Sequence, residues 1–235
     1  MTRRRWAADQ VEGDRASLLG DHAEHLARVL RAEIGQHYDI ATPDGVRLGR
    51  IVSVKEDCVD FLLGDFLPNP ELPDITLALA IFKFDRMEWA IEKCTELGAT
   101  KIIPFIATRT EKHLAHAATK RAERWRRLIT QASEQSRRAT PAELVDPVKF
   151  DEMLHETIPT RIVLTESGTD ISLATQLASG HRSTLLAIGP EGGWTPSELR
   201  KFDEAAWKPA TLGPTILRAE TAAIAALAIT LATLQ

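Results

Sequence analysis

The sequence Leu185-Leu186-Ala187-Ile188-Gly189-Pro190-Glu191-Gly192-Gly193-Trp194-Thr195-Pro196-Ser197-Glu198 predicts a strand, a loop and a helix in direct succession. The apolar run before Gly189 is typical of a buried strand. Thr195 suits a helix N-cap, Pro196 suits the first helical position, and Glu198 completes a capping box. The glycines of the loop would let a ligand approach the backbone closely at the carboxyl edge of a sheet. A turn that needs glycine only for its geometry is the alternative.

Length and composition are those of a globular protein with one large or two modest domains. The chain has 235 residues, of which 44% are hydrophobic and 26% charged. Its two cysteines, Cys58 and Cys94, indicate neither a disulfide framework nor a zinc site. No apolar segment typical of a signal peptide follows the N-terminus, and the longest apolar segment, 222–234, is too short to cross a bilayer. We therefore expect a cytoplasmic protein with no membrane contact and no bound metal.

Positive charge is concentrated in residues 101–140. This segment has ten Lys or Arg against three acidic residues, a net charge of +7, whereas the whole chain has a net charge of −4. Such a block on an otherwise acidic protein favours a polyanionic partner, and nucleic acid in particular. A solvated helix face with its counter-charges elsewhere in the fold is the alternative.

A proline-rich segment divides the chain in two. Residues 67–74 include three prolines, which is typical of a linker, and we place a domain boundary after residue 72. Before the boundary, 18–30 has helical spacing, and three short strand-like segments with tight turns predict a small β-barrel: 39–42, 46–54 and 58–63. After it, predicted strands at 75–82, 101–107, 161–166, 185–188 and 210–213 alternate with helices beginning near Asp85, Thr119, Pro196 and Glu220. Asp85 is the expected N-cap of the first of these helices, and Gly98 fits its C-terminal end. This alternation indicates a mainly parallel sheet with helices on both faces.

The last predicted helix, 220–234, is apolar on almost every face. A helix of this kind must be buried in the centre of a fold or against another subunit. We expect a homodimer, with burial inside a single chain as the alternative.

Three predicted strand ends are candidates for one functional site. They are 164–166, 188–193 and 212–222, and parallel strands would bring all three to the same edge of the sheet. The sequence has no G-x-G-x-x-G after a strand, no Walker A motif and no G-x-S-x-G elbow. The common dinucleotide, nucleoside triphosphate and α/β-hydrolase sites are therefore not indicated.

Two motifs at these strand ends resemble a known family. Ile188-Gly189-Pro190-Glu191-Gly192-Gly193 is followed by Leu212-Gly213-Pro214-Thr215-Ile216-Leu217-Arg218-Ala219-Glu220-Thr221-Ala222. Further matching stretches occur in order at 25–31, 85–93, 96–100 and 134–138. Over nearly its whole length, the chain resembles the RsmE family of ribosomal RNA methyltransferases, in the SPOUT superfamily. It departs from the family pattern at Thr215, where arginine is usual, and at Arg137, where glycine is usual.

The resemblance implies a fold, an activity and a cofactor. The fold would be α/β, with a SPOUT-type parallel sheet and a C-terminal trefoil knot in 73–235, preceded by a small PUA-like RNA-binding β-barrel in 1–72. Family members look like homodimers that methylate N3 of one uridine in small-subunit (16S) ribosomal RNA with S-adenosyl-L-methionine. The partner would be ribosomal RNA or the assembled small ribosomal subunit. The knot loops would hold the cofactor largely through backbone groups, at Leu164, Thr165, Glu166, Ile188, Gly189, Pro190, Glu191, Gly192, Gly193, Leu212, Gly213, Thr215, Ile216 and Leu217.

The chemistry of methyl transfer to uridine N3 suggests roles for charged residues. Arginine remains protonated and is therefore suited to stabilise a developing uracil anion, for which Arg138 and Arg218 are the candidates. Glu220 or Glu166 could accept the N3 proton. Alternatively, Glu220 only caps the last helix and Arg218 only pairs with a carboxylate. Candidate RNA-binding residues are Arg3, Arg4, Arg28, Arg86, Arg109, Arg124, Arg127 and Arg137.

Two other functions fit the same resemblance. A superfamily member of this type could methylate a ribose 2′-hydroxyl instead of a base. A non-catalytic RNA-binding or ribosome assembly factor could retain the knot as a scaffold.

Overall fold

A computed structural model describes residues 5–68, 73–136, 138, 140–178 and 181–234. The chain forms two compact units, one of Met1–Glu71 with Ser133–Thr140, the other of Leu72–Ala132 with Pro141–Gln235. The segment Ser133–Thr140, which lies within the expected range 73–235, thus groups with the first unit.

The first unit is built on a six-stranded sheet in the order β1-β4-β5-β6-β3-β2. Its strands are β1 (Arg5–Ala7), β2 (Gln10–Glu12), β3 (Arg15–Leu19), β4 (His37–Thr42), β5 (Gly45–Val54) and β6 (Cys58–Phe66). The edge strands β1 and β2 are separated by only two residues, so the sheet must curve back towards itself. Leu18, Ile40 and Phe61 are fully buried in its core.

The helix expected over 18–30 is only partly present. Leu18 and Leu19 belong to β3, where they pair with Val59 and Cys58 of β6. The helical part consists of α1 (Gly20–Glu24) and a π-helical segment, His25–Val29. Strand pairing with a distant segment therefore overrides the local helical spacing at the two leucines.

The second unit is built on a seven-stranded sheet in which every pairing is parallel, as the alternation predicted. The strand order is β10-β8-β7-β12-β11-β13, with β9 also paired to β8. These strands are β7 (Asp74–Ala80), β8 (Lys101–Ile106), β9 (Glu143–Leu144), β10 (Val148–Lys149), β11 (Thr160–Leu164), β12 (Ser183–Ile188) and β13 (Lys208–Ala210).

Helices cover both faces of this sheet. They are α2 (Phe84–Leu97), α3 (Lys112–Gln135), α4 (Phe150–Leu154), α5 (Leu173–Leu177), α6 (Pro196–Glu204) and α7 (Ala219–Leu234). One hydrophobic core joins Ile75, Leu77 and Leu79 of β7 to α2, α3, α5 and α7. The alternate residues Ala78 and Ala80 face the other core, with α4 and α6. Because successive side chains of β7 point to opposite faces of the sheet, this strand packs against a helix layer on each face.

Helix starts differ from the sequence prediction in two places. Helix α2 follows Lys83 as its N-cap without a side-chain cap, and Asp85 lies in its first turn instead of at the N-cap. The main-chain N–H of Met87 donates to the carbonyl of Lys83, so the helix starts two residues earlier than expected. Helix α3 begins at Lys112, seven residues before the expected Thr119. The expected C-terminal glycine of α2 is confirmed, because Gly98 is its C-cap with φ of 125°.

The apolar helix α7 buries one face within its own unit. Ala223, Ala226, Leu227, Thr230 and Leu231 are buried at helical spacing, and α7 packs against α2 and α5. The apolar side chains of Ile224 and Ile229 are only partly buried. In the part of the chain that is described, no helix has the length and apolar character needed to cross a membrane.

Candidate functional site

The three strand ends that the sequence singled out converge on one cavity of about 500 Å³ in the second unit. This size is ordinary for a site that takes a small organic ligand. The cavity is lined by every residue that the family resemblance assigned to the cofactor: Leu164, Thr165, Glu166, Ile188, Gly189, Pro190, Glu191, Gly192, Gly193, Leu212, Gly213, Thr215, Ile216 and Leu217. It is also lined by residues without that assignment, including Arg86, Arg109, Trp194, Leu199 and Arg218.

The glycine loop after β12 is shaped by close contacts and a tight turn. Gly193 has φ of +69° and its N–H donates to the carbonyl of Pro190 at 2.8 Å. A Cβ at Gly189 would lie 3.0 Å from Cε2 of Trp194. Glycine is therefore favoured at 193 by the backbone conformation, and at 189 a side chain would press on the indole.

Trp194 joins the loop after β12 to the end of β11. Its indole Nε1–H donates to the carbonyl of Leu164 at 2.8 Å. The ring is stacked with Phe105 at a centroid distance of 6.1 Å and meets Phe202 edge-on at 4.9 Å. Trp194 is a site residue that was not predicted from the sequence, although an indole directly after a glycine loop is a signal that it packs against that loop.

The capping box predicted at the start of α6 is confirmed. The Thr195 hydroxyl accepts from the main-chain N–H of Glu198, and the Glu198 carboxylate accepts from the N–H of Thr195. Glu198 is only 3% exposed. The cap therefore stabilises the first turn of α6, which follows the glycine loop.

Two arginines expected to contact RNA lie in the cavity wall and contact the glycine loop. Arg86 Nη1 donates to Glu191 Oε1 at 2.9 Å. Arg109 Nη1 donates to the carbonyl of Gly192 at 2.5 Å. The glycine loop thus accepts hydrogen bonds from both guanidinium groups. Each guanidinium has five N–H donors, so these bonds use only part of its capacity.

Glu220 lies in the first turn of α7 and is buried. Its Oε1 is 3.7 Å from Nε of Arg86, and Oε2 is buried without a hydrogen-bond partner in the described part of the chain. A carboxylate in this position is stabilised by the helix dipole. The residue does not line the cavity.

Three polar groups of the cavity wall have no partner among the described residues. The Thr165 hydroxyl is buried without a hydrogen bond. The side chains of Arg218 and Glu166 are exposed and make no hydrogen bond or ion pair with another described residue. Because a buried, unsatisfied hydroxyl is unfavourable, Thr165 is suited to bind a polar group of a ligand.

The other charged candidates lie outside the cavity wall. Arg138 is in the first unit, where its N–H donates to Ser133 and burial lowers the pKa of its guanidinium. On α3, Arg124 Nε donates to Glu88 at 2.9 Å, and Arg127 lies 3.9 Å from Glu123. Arg28 is paired with Glu24 and Glu56. Arg3, Arg4 and Arg137 lie outside the described residues.

Metal binding receives no support from the described residues. Within the described ranges, no three His, Cys, Asp or Glu side chains are grouped so that they could hold a metal ion.

Comparisons with known proteins identify the family. Residues 70–231 match the model of the RNA methyltransferase domain family. The ribosomal RNA small subunit methyltransferase E of Bacillus subtilis is 33% identical over 223 residues, which is 90% of this chain and 87% of that protein. The chain belongs to the ribosomal RNA small subunit methyltransferase E family.

Two solved structures share the whole fold of this family member. The ribosomal RNA small subunit methyltransferase E of Neisseria gonorrhoeae, bound to S-adenosyl methionine, has a TM-score of 0.82 and 28% identity, with 97% of this chain and 96% of that chain covered. A Legionella pneumophila protein in complex with the bound cofactor SAM has a TM-score of 0.82 and 30% identity, with 99% and 98% covered.

The contact between Gly189 and Trp194 generates a prediction about stability. Gly189→Ala should lower the free energy of unfolding by about 1–3 kcal/mol, because the added methyl group must displace an indole that is held by a hydrogen bond and by stacking. Urea unfolding measures this change.

The double variant Gly189→Ala with Trp194→Phe supplies the control. A smaller ring leaves room for the methyl group, so the double variant should lose less stability than the two single losses added together. Additive losses would show that the methyl group does not act through the indole.

Proposed function

We propose that this protein is an S-adenosylmethionine-dependent methyltransferase that modifies N3 of one uridine in small-subunit ribosomal RNA. The observation that carries the proposal is the single cavity formed by three strand ends, in a chain whose fold matches two relatives solved with this cofactor. Membership of a ribosomal RNA methyltransferase family supports the class of substrate. The uridine N3 position follows from the resemblance of the C-terminal motifs.

The residues of the cavity fit the proposed cofactor. Apolar side chains of Leu164, Ile188 and Leu212 offer surfaces for a flat ring, and the Thr165 hydroxyl offers an unused hydrogen-bonding group. The glycine loop offers close approach to the backbone. When bound, S-adenosylmethionine supplies an electrophilic methyl group.

Arg218 is the best placed of the proposed catalytic residues. Uridine N3 becomes nucleophilic only when its proton leaves, and a fixed positive charge stabilises the resulting anion. Arg218 lines the cavity, and its side chain has no hydrogen-bond or ion-pair partner among the described residues. Among the two glutamates considered as proton acceptors, Glu166 lines the cavity, whereas Glu220 is buried beside Arg86. The reaction roles of Arg138 and Glu220 rest on the sequence.

The proposed RNA surface includes the exposed arginines of α3. Arg124 and Arg127 are both exposed on this helix, and their carboxylate partners leave donors available for phosphate.

We also propose that the first unit is a PUA-like barrel, that the cofactor loops form a trefoil knot, and that the protein acts as a cytoplasmic homodimer. The partly exposed Ile224 and Ile229 of α7 support the dimer.

Loss of the protein from its host tests the function directly. We expect one uridine of the small-subunit ribosomal RNA to lose its N3-methyl group, and the purified protein with S-adenosylmethionine to restore it. Nucleoside analysis by mass spectrometry measures both. Loss of a ribose methyl group would favour the 2′-O-methyltransferase alternative. Failure of calorimetry to detect cofactor binding at millimolar concentration would favour the RNA-binding scaffold.

Arg218→Gln should separate catalysis from binding. We expect kcat to fall by about 10²–10³-fold, because the charge acts mainly on the anion that develops during reaction, while the dissociation constant for S-adenosylmethionine changes little. Methyl transfer to ribosomal RNA and calorimetry measure the two quantities. Arg200→Gln, an exposed arginine of α6, is the matched control. Equal effects of the two substitutions would remove Arg218 from the mechanism.

Arg124 and Arg127 of α3, and Arg138 beyond the end of that helix, should contact RNA phosphates. Alanine at Arg124, Arg127 or Arg138 is expected to weaken RNA binding and to lower the slope of log K against log salt by roughly 0.7 for each lost contact. Binding titrations at several salt concentrations measure the slope, with Arg200→Ala as the control. An unchanged slope would mean that this helix faces another partner.

A further inference from the structure

A buried carboxylate, Glu198, connects two segments of the second unit that are distant in sequence. One oxygen, Oε2, accepts the N–H of Thr195 at 2.9 Å and its hydroxyl at 2.7 Å. The other, Oε1, accepts the main-chain N–H of Thr108 at 2.8 Å, across 90 residues of sequence. The capping box accounts only for the bonds of Oε2. The bond to Thr108 therefore has a separate role.

Arg109, the residue after Thr108, contacts the glycine loop through its side chain. Arg109 Nη1 donates to the carbonyl of Gly192 at 2.5 Å and to that of Trp194 at 3.4 Å. A Cβ at Gly192 would lie 3.2 Å from Cδ of Arg109, so the stem of the arginine packs directly on the loop. Residues 108–109 are thus held by two separate contacts. The main-chain N–H of Thr108 binds Glu198 at the start of α6, and the side chain of Arg109 binds the glycine loop.

The turn that contains Arg109 has a second set of hydrogen bonds, which do not involve the glycine loop. The Thr110 hydroxyl accepts the N–H of Ala107 and donates to the carbonyl of Ile81. These bonds hold the turn to its own strand and to the end of β7, not to the glycine loop. Of the described main-chain groups in this turn, the N–H of Thr108 is the one bound to α6.

We propose that Glu198 is a positioning residue for the cofactor: by binding the N–H of Thr108, it fixes Arg109 on the Gly192 carbonyl and so sets the shape of the glycine loop. The inference rests on the proposed function, since it takes S-adenosylmethionine as the ligand of the loop. Glutamine at this position offers one oxygen in place of two. In that variant, either Thr108 or Thr195 loses the acceptor of its N–H.

Calorimetry with S-adenosylmethionine on the full chain, without RNA, tests the proposal. Glu198→Gln and Arg109→Met should each raise the dissociation constant about tenfold, equivalent to about 1.4 kcal/mol. In methyl transfer assays, KM for the cofactor should rise while KM for RNA stays near the wild-type value for Glu198→Gln. A double variant should bind about as weakly as the weaker single variant, because both changes release the same contact.

Thr195→Ala is the matched control, because it removes the cap hydroxyl and leaves the Glu198–Thr108 bond intact. It should lower the melting temperature, as loss of a cap does, with an unchanged cofactor affinity. If Thr195→Ala weakens binding as much as Glu198→Gln, Glu198 acts through general stability and the proposal is wrong. If Glu198→Gln does not fold, Arg109→Met is compared with Thr195→Ala instead. The proposal is wrong if these two variants weaken cofactor binding equally.

The outcomes separate this inference from the proposed function. A wild-type chain that does not bind S-adenosylmethionine overturns the proposed function and this inference with it. Wild-type binding together with unchanged affinities in Glu198→Gln and Arg109→Met overturns the inference alone.

Discussion

The parallel register of β11, β12 and β13 is the constraint on which the site depends. Val163 of β11 lies opposite Ala187 of β12, and Leu164 lies opposite Ala210 of β13. The three strands therefore end level with one another, and the segments that follow them leave the sheet at one edge. On its other side, β12 pairs with β7 over six residues, which joins this group of strands to the rest of the sheet, with β13 at the edge. A shift of one residue would move every side chain to the opposite face.

Features that depend on local chemistry were accessible from the sequence. A capping box needs only Thr195 and Glu198 three residues apart, and the C-cap of α2 needs only a glycine that tolerates positive φ. The convergence of the strand ends followed from alternation of strands and helices, since parallel strands in one sheet share their carboxyl edge. These predictions succeeded because each rests on neighbouring residues or on a general rule of topology.

Features that depend on long-range contact were not accessible. No spacing in the sequence links Trp194 to the carbonyl of Leu164, or Glu198 to the N–H of Thr108. Arg109 lies in the basic segment 101–140 and was predicted to contact RNA, but nothing in the sequence shows that its guanidinium also donates to the carbonyl of Gly192. A long-range contact also explains why Leu18 and Leu19 are not helical, because their pairing with β6 outweighs the local helical spacing.

The charges of the cavity wall follow from these long-range contacts. A sulfonium ligand is a cation, and two unit charges 4 Å apart interact by about 4 kcal/mol at an effective dielectric constant of 20. Uncompensated arginines in the wall would therefore oppose its binding. Arg86 is compensated by Glu191 at 2.9 Å and by Glu220 at 3.7 Å, although Glu220 does not line the cavity.

Burial of Glu220 behind Arg86 thus has a physical role that requires no proton transfer. It neutralises a guanidinium in the wall while its position in the first turn of α7 stabilises its own charge. The other two wall arginines have no carboxylate partner among the described residues: Arg109 donates to the carbonyls of Gly192 and Trp194, whereas the side chain of Arg218 makes no hydrogen bond there. A guanidinium with no hydrogen-bond acceptor of its own in the described part of the chain suits the stabilisation of an anionic methyl acceptor, which makes Arg218 better suited to this role than Arg109.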